Sequence, residues 1–238
     1  MSRKRSARPR LVDRDFDIFE HIMRYRMTTR EVLQRLFFTD SELNAVTKVT
    51  SRLVEHGFLR RYELYPSRSY FTLGPASRHF LGIRQNATRD LGPIAKAREF
   101  AVLCYCCLSD KVRERLTVSE LNTKLPGFAL GGLDNSHYYL DRHGDTTRLT
   151  YMRVDLGGSI DHILRKCRKD VADRMRYDVF DDLISNDRFA LAIVTARSEK
   201  VQKIRDALEQ QLDWPIAFRI EAVPELVELV THLFDDAS

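Results

Sequence analysis

Apolar residues recur at intervals of three and four positions in three sets within residues 13–57, and a polar break separates each set from the next. Such spacing predicts amphipathic helices. The sets are Phe16, Phe19, Ile22 and Met23; Val32, Leu33 and Leu36; and Leu43, Val46, Val49 (or Thr50) and Leu53. Side chains suited to helix starts precede them: Asp13 or Asp15, Thr28-Thr29, and Asp40 or Ser41.

The spacing changes after Gly57, which stands where a helix end favours a left-handed residue. Residues 58–64 and 69–73 are predicted strands, joined by a turn at 65–68, and a short helix with proline in its first turn is predicted over 75–82. Three helices followed by a hairpin are the layout of a winged helix-turn-helix. That module presents one helix to the DNA major groove.

The outward face of the third predicted helix carries amide, hydroxyl and cationic side chains, the types that contact base edges and phosphates. They are Asn44, Thr47, Lys48, Ser51 and Arg52. Any surface helix has a polar face, so the hypothesis depends on the basic hairpin beside it. The hairpin and the first inter-helix turn supply the other predicted DNA contacts: Arg60, Arg61, Arg68 and Tyr70, and Thr28 and Thr29.

Charge is divided unevenly along the chain. Residues 1–83 contain 16 Lys/Arg and 9 Asp/Glu, a net charge of +7, whereas residues 84–238 carry 23 and 25, a net charge of −2. This asymmetry favours a polyanionic partner for the N-terminal part. Residues 2–10 hold five basic residues, and we expect a disordered arm in which Arg3 and Arg5 contact DNA. The alternative is a solubilising tail.

No apolar run approaches the roughly 18 residues of a membrane span, and no secretory signal is visible, so we expect a cytoplasmic protein without membrane partners. Cys104, Cys106 and Cys107 lie in an apolar stretch without the spacing of a zinc site. With Cys167, they are predicted to be buried free thiols. Walker-type and glycine-rich nucleotide motifs are missing from the sequence.

The remainder of the chain alternates strand and helix patterns after a linker. Strands are predicted over 136–140, 148–156, 189–195 and 216–220, and helices from 95, over 159 to about 183, over 198–211 and over 224–234. The expected organisation is an arm (1–10), a winged helix-turn-helix domain (11–83), a linker (84–94) and an α/β domain (95–238). The fold class is therefore α+β.

Four segments of the N-terminal third resemble the replication-relaxation family. They are Asp13-Arg-Asp15, MTTREVLQRLFF (27–38), SRLVEHGFLRR (51–61) and YFTLG (70–74). Many winged helices share the L-x-x-x-G-x-L ending of the third helix, so these motifs are moderately specific. The resemblance implies a winged-helix protein of a plasmid or integrative element, acting in its maintenance, control or transfer. Some relatives resemble mobilisation relaxases whose C-terminal half has a restriction-endonuclease-like fold.

The predicted element order of residues 95–238 is similar to that nuclease-like domain, which implies acidic residues holding Mg²⁺ or Mn²⁺. The candidates are Glu99, Asp141 (or Asp134) and Asp155. The expected lysine is missing after Asp155, which Leu156-Gly157 follow, and Lys166 or Lys169 would have to replace it. Three spaced carboxylates also arise by chance. We therefore expect a nuclease-like scaffold without catalytic residues, metal or cofactor, and keep a metal-dependent nickase or relaxase as the alternative.

The predicted helix 159–183 mixes basic and acidic residues, typical of a solvated, salt-bridged face. A second DNA contact or a dimer surface is the alternative. Together these patterns predict a sequence-specific protein that binds double-stranded DNA of a mobile element. It would act in transcriptional control or in assembly of a transfer or replication complex, as a homodimer.

Overall fold

A computed structural model describes residues 10–82, 89–111, 113–143, 146–211 and 214–235. The chain divides between Gly92 and Pro93 into two compact units, which we call the N-terminal unit and the C-terminal unit. Helices and two sheets make the fold a mixed α+β class. Within the described ranges, no helix is both long and apolar enough to cross a bilayer.

The N-terminal unit consists of three helices, a hairpin and a short fourth helix. In chain order these are α1 (Asp13–Tyr25), α2 (Arg30–Phe37), α3 (Leu43–Glu55), β1 (Leu59–Tyr65), β2 (Arg68–Leu73) and α4 (Pro75–Leu81). The Thr29 hydroxyl accepts a hydrogen bond from the Val32 amide and caps α2, as its position in the sequence predicts.

The buried face of α1 is displaced from the predicted one. Of the predicted apolar stripe, Phe19 and Ile22 are in the core, whereas Phe16 and Met23 are each 39% exposed. The inward face instead includes Asp15, which is fully buried. A charged residue can take this place because Arg52 neutralises it.

A backbone bridge ties the hairpin to the segment between α1 and α2. The Thr28 amide donates to the Phe71 carbonyl at 3.0 Å, and the Phe71 amide donates to the Thr28 carbonyl at 2.8 Å. This antiparallel bridge adds a third, one-residue pairing to the two-stranded sheet. The N-terminal core, built around Ile18, Phe19, Val46 and Leu53, therefore fixes the hairpin relative to α3.

The C-terminal unit is a mixed five-stranded sheet with helices on both faces. Its elements are α5 (Pro93–Cys107), β3 (Arg113–Arg115), α6 (Val118–Lys124), β4 (Tyr138–His143), β5 (Thr146–Asp155), α7 (Ile160–Arg174), a 3₁₀ turn (Asp178–Phe180), α8 (Asp181–Ser185), β6 (Phe189–Thr195), α9 (Ser198–Glu209), β7 (Ala217–Ala222) and α10 (Leu226–Asp235). The strand order is β3-β4-β5-β6-β7, antiparallel from β3 to β5 and parallel from β5 to β7.

The two faces of this sheet carry different helices. Alternate residues of β5 and β6, such as Tyr151 and Leu191, share one core with α7 and α9. On the other face α5 packs against β3, β5 and α10. Residues 99–107 of α5 are all buried, which agrees with their nearly continuous apolar sequence. All four cysteines are buried free thiols, as predicted.

The long predicted helix 159–183 is two helices separated by a turn. α7 ends at Arg174, whose side chain is buried: its Nε donates to the Tyr138 hydroxyl at 2.7 Å, and its guanidinium lies 3.8 Å from the Tyr151 ring centroid. Phe180 then turns inward against Phe189. The prediction of one helix was wrong, and β3 and α6 were not predicted.

Candidate nucleic-acid interface

Four polar residues share the exposed face of α3. Asn44, Thr47, Lys48 and Ser51 are spaced at i, i+3, i+4 and i+7, which places them on one side of a helix. Asn44, Lys48 and Ser51 are exposed and Thr47 is half-buried, with its hydroxyl donating to the Leu43 carbonyl at 3.1 Å. The opposite side packs into the core through the buried residues Val46, Thr50 and Leu53.

The end of α3 determines where the hairpin starts. Gly57 has φ +74°, a left-handed conformation that favours glycine, and the Phe58 amide donates to the Leu53 carbonyl at 2.8 Å. Gly74, at the end of β2, comes so close that its amide donates to the Phe58 carbonyl at 2.6 Å. A Cβ on Gly74 would overlap the Gly57 carbonyl. The two glycines thereby hold the hairpin beside α3.

The hairpin exposes two of its three predicted cations. Arg60 and Arg61 are both exposed, and as successive strand residues they point to opposite sides. Arg61 Nε donates to the Ser69 hydroxyl at 2.9 Å. Arg68 is directed back to the helices: it lies 3.3 Å from a Glu31 carboxylate oxygen and donates to the Tyr65 hydroxyl at 2.8 Å. Arg60 and Arg61 are thus the hairpin cations best placed for phosphates.

Arg52 links two helices instead of pointing into solvent. Its Nη2 lies 2.6 and 2.7 Å from the two carboxylate oxygens of Asp15, which is fully buried. The predicted role of Arg52 in base contact therefore competes with a structural ion pair. We leave it out of the proposed surface, since releasing it would leave a buried carboxylate without its cation.

Three other predicted contacts are buried. Thr28 and Thr29 are at most 1% exposed; Thr29 caps α2, and the Thr28 hydroxyl lies 3.1 Å from Nε2 of buried His21. The Tyr70 side chain is buried too, and its hydroxyl donates to Asp90. These side chains hold the unit together, and we leave them out of the proposed surface. Arg3 and Arg5 lie outside the described residues.

Burial alters the titration of His21. Desolvation, followed by the charge of Arg24, lowers its pKa to about 4. The imidazole is consequently neutral at physiological pH, as an uncharged partner of the Thr28 hydroxyl.

The predicted carboxylates of the C-terminal unit do not converge. Asp141 pairs in register with Arg148, and Asp155 lies seven residues further along β5, which is about 23 Å at ~3.3 Å per strand residue. Among the described residues, no group of three or more His, Cys, Asp or Glu side chains has a metal-binding arrangement. This geometry contradicts the alternative prediction that Glu99, Asp141 and Asp155 form one metal site.

Glu99, Asp141 and Asp155 each pair with a cation, and Asp134 lies beside a histidine. Glu99 lies 2.6 Å from Arg115 Nη1, and both side chains are 4% exposed. Asp141 pairs with Arg219, and Asp155 lies 2.6 Å from Lys200 Nζ. Asp134, the alternative to Asp141, lies 3.2 Å from Nδ1 of His137, whose hydrogen bond holds the pKa of Asp134 well below its usual range. Because Glu99, Asp141 and Asp155 are buried, these pairings neutralise their charge within the fold.

The two lysines considered as replacements for the missing one are exposed on α7. Lys166 and Lys169 are both exposed, and Lys169 Nζ lies 2.5 Å from Asp173, one turn along the helix. An exposed pair at this spacing is a surface salt bridge, as the mixed charges of the sequence indicate.

Sequence reasoning missed the most important charged partner in the N-terminal unit, Asp15. Its signal was available: Ile18, Phe19 and Ile22 follow at positions i+3, i+4 and i+7, so Asp15 belongs to the apolar stripe. The predicted helix-capping role of Asp15 is also present, since its carboxylate accepts a hydrogen bond from the Val12 amide at 3.1 Å.

Comparison with family models, with curated proteins and with solved structures finds no match for the chain. The resemblance to the replication-relaxation family therefore stays a prediction that depends on the quoted motifs.

Proposed function

We propose that this protein binds double-stranded DNA through α3 and the β1–β2 hairpin. The observation that carries the proposal is the shared exposed face of Asn44, Thr47, Lys48 and Ser51, beside a hairpin that exposes Arg60 and Arg61. An amide matches the donor and acceptor edge of adenine, a lysine matches guanine or a phosphate, and hydroxyls match either. Arginines on a hairpin supply phosphate contacts.

The architecture supports interpretation of the N-terminal unit as a winged helix-turn-helix. Three helices precede an antiparallel hairpin, and the α1–α2 connection pairs with β2. In the C-terminal unit the order α5-β3-α6-β4-β5-α7-α8-β6 supports a restriction-endonuclease-like scaffold. Because its carboxylates are separated and paired with cations, we infer that this scaffold serves dimerisation or partner binding.

We further propose that the protein belongs to a mobile genetic element. There it would regulate transcription or help to assemble a transfer or replication complex in the cytoplasm. A genome-wide binding map separates these roles, because promoter sites indicate transcriptional control and sites at a transfer or replication origin indicate assembly.

Mobility shifts with duplex DNA test the binding surface. Lys48→Ala and the double variant Arg60→Ala/Arg61→Ala are expected to weaken binding, and the hairpin variant should also reduce the salt dependence of affinity. Asn44→Ala should relax base preference at one position. Lys124→Ala is a matched control, since Lys124 is exposed and pairs with Glu114 in the C-terminal unit. Shifts that are unchanged in every N-terminal variant would refute the surface.

Two further measurements address the arm and the oligomeric state. Deletion of residues 1–10 should weaken affinity and flatten its salt dependence without changing base preference. Light scattering is expected to detect a dimer, since paired half-sites are common for such modules. A monomer both with and without DNA would contradict the dimer.

A further inference from the structure

A cleft opens at the carboxyl edge of the three parallel strands. Asp155 at the end of β5 pairs in register with Thr195 at the end of β6, and Thr195 pairs with Ala222 at the end of β7. After β5 and β6 the chain enters α7 and α9 on one face of the sheet. After β7 it enters α10, which packs with α5 on the other face. Connections that diverge at such an edge leave a crevice, a common ligand-binding position in α/β sheets.

Buried polar contacts build the floor of this cleft. Asp155 accepts hydrogen bonds from the amides of Gly157 and Gly158, each at 3.1 Å, and is only 6% exposed. Lys200 Nζ lies 2.6 Å from Asp155 and donates to the Gly158 carbonyl at 2.5 Å. Gly157 has φ +125°, which a side chain rarely tolerates. The Asp155–Lys200 pair therefore holds the glycine loop in one conformation.

The wall of the cleft carries two exposed cations. Arg197 and Lys203 line the cleft and are exposed, and within the described parts of the chain neither has an ion-pair partner. Glu199 is the one carboxylate among the lining residues of the larger cavity. With Lys200 neutralised by Asp155, the two remaining cations leave the cleft with a positive charge. The hydroxyl-bearing Ser159 and Ser198 line it as well.

Part of the lining is apolar. Ile160, Pro224 and Val227 line the same cavity, which has a volume of about 720 Å³. An adjoining cavity of about 340 Å³ reaches Leu156 and Val230. Small-molecule sites typically measure ~300–1,000 Å³ and combine apolar walls with a few polar groups. The glycine loop, two exposed cations and several apolar side chains thus lie together at one edge of the sheet.

We propose that this cleft binds a small phosphorylated ligand of nucleotide size. Arg197 and Lys203 bind its phosphate groups beside the loop at Gly157-Gly158, and the apolar residues Ile160, Pro224 and Val227 receive the uncharged part. Asp155 and Lys200 are positioning residues that fix the loop. The proposal does not depend on DNA binding by the N-terminal unit, because all the residues of the cleft belong to the C-terminal unit.

Calorimetric titration of the full-length protein with ATP, AMP, pyrophosphate, inorganic phosphate and adenosine tests this ligand class. We expect a nucleotide to bind more tightly than inorganic phosphate, and adenosine not to bind measurably. Arg197→Ala/Lys203→Ala should weaken nucleotide affinity at least about tenfold, because two charge-assisted contacts are lost. Arg205→Ala is the matched control: it is an exposed cation on α9 that does not line the cleft.

Three outcomes would overturn the proposal. The first is the absence of binding by every phosphorylated probe at millimolar concentration in a protein whose unfolding transition is intact. The second is equal nucleotide affinity of the double variant and Arg205→Ala. The third is that the double variant weakens duplex DNA binding while nucleotides neither bind nor compete, which would make the cleft a contact for the DNA backbone. Failure of Lys48→Ala to affect DNA binding would leave the cleft result unchanged, so the two proposals fail separately.

Discussion

The guanidinium of Arg52, in the last turn of α3, binds the buried carboxylate of Asp15, in the first turn of α1. Nη2 lies 2.6 and 2.7 Å from the two carboxylate oxygens, and Nη1 donates to the Arg10 carbonyl at 3.4 Å. The pair therefore fixes α3, which carries the proposed DNA-contacting face, against α1. Among the predicted contact residues of α3, Arg52 supports the helix and Lys48 faces solvent.

Arg52→Ala is expected to destabilise the protein by about 3 kcal/mol, because Asp15 would stay buried without its cation. Lys48→Ala on the same helix is the control, and a change within about 0.5 kcal/mol is expected at this exposed site. Urea unfolding measures both free energies. Equal stability of the two variants would mean that the Asp15–Arg52 pair does not support the fold.

Gly74→Ala should cost about 3 kcal/mol or more, because the new Cβ would meet the Gly57 carbonyl carbon at 2.8 Å and overlap its oxygen. Backbone atoms on both sides leave no flexible side chain to move aside. Gly92→Ala serves as the control, since a Cβ there has no neighbouring atom within 4 Å. Thermal unfolding compares the two, and a Gly74→Ala midpoint equal to that of Gly92→Ala would contradict the close approach.

His21 should make the stability of the N-terminal unit depend on pH between about 6.5 and 4. The folded state keeps His21 neutral because its pKa is lowered to about 4, whereas the unfolded chain takes up the proton near 6.5. The stabilising contribution is therefore complete above pH 6.5 and is lost as the pH falls, by about 3 kcal/mol. Glutamine does not titrate, so the His21→Gln variant should lose less stability as the pH falls. If the free energies of unfolding of the two proteins fell equally with pH across this range, His21 would not be the source of the pH dependence.

Arg115→Ala tests whether Glu99 is structural. Both side chains are 4% exposed, so removal of the arginine should cost about 3 kcal/mol or more. Lys124→Ala removes the cation of the exposed Glu114–Lys124 pair, where less than about 1 kcal/mol is expected. Chemical unfolding of the two variants decides the matter, and a small loss for Arg115→Ala would reopen the question of what Glu99 does.

Local patterns predicted the elements that carry the proposed DNA-binding surface. The polar positions 44, 47, 48 and 51 follow from helical spacing, and Thr29 and Gly57 were identified from their preference for helix ends. The strands around Pro66 were placed within one residue of their observed bounds at each end. These features depend on side chains only a few residues apart, so they can be predicted from the spacing of residues along the chain.

Long-range contacts could not be predicted in the same way. The separation of Asp141 from Asp155 follows from the register of β4 on β5, and burial of Arg174 depends on its contacts with Tyr138 and Tyr151. Likewise, Tyr70 is of a residue type that often contacts DNA, but here its side chain is buried and its hydroxyl donates a hydrogen bond to Asp90.

The sequence by itself determined the order of helices and strands in the N-terminal unit, the basic character of residues 1–83 and the polar face of α3. Tertiary structure decided which charges are available for binding. Arg52 and Lys200 are held by the buried carboxylates Asp15 and Asp155, whereas Lys48 and Lys203 stay exposed. The physical reason is that a buried carboxylate must be neutralised, and its partner is chosen by distance in space, which the spacing of residues along the chain does not encode.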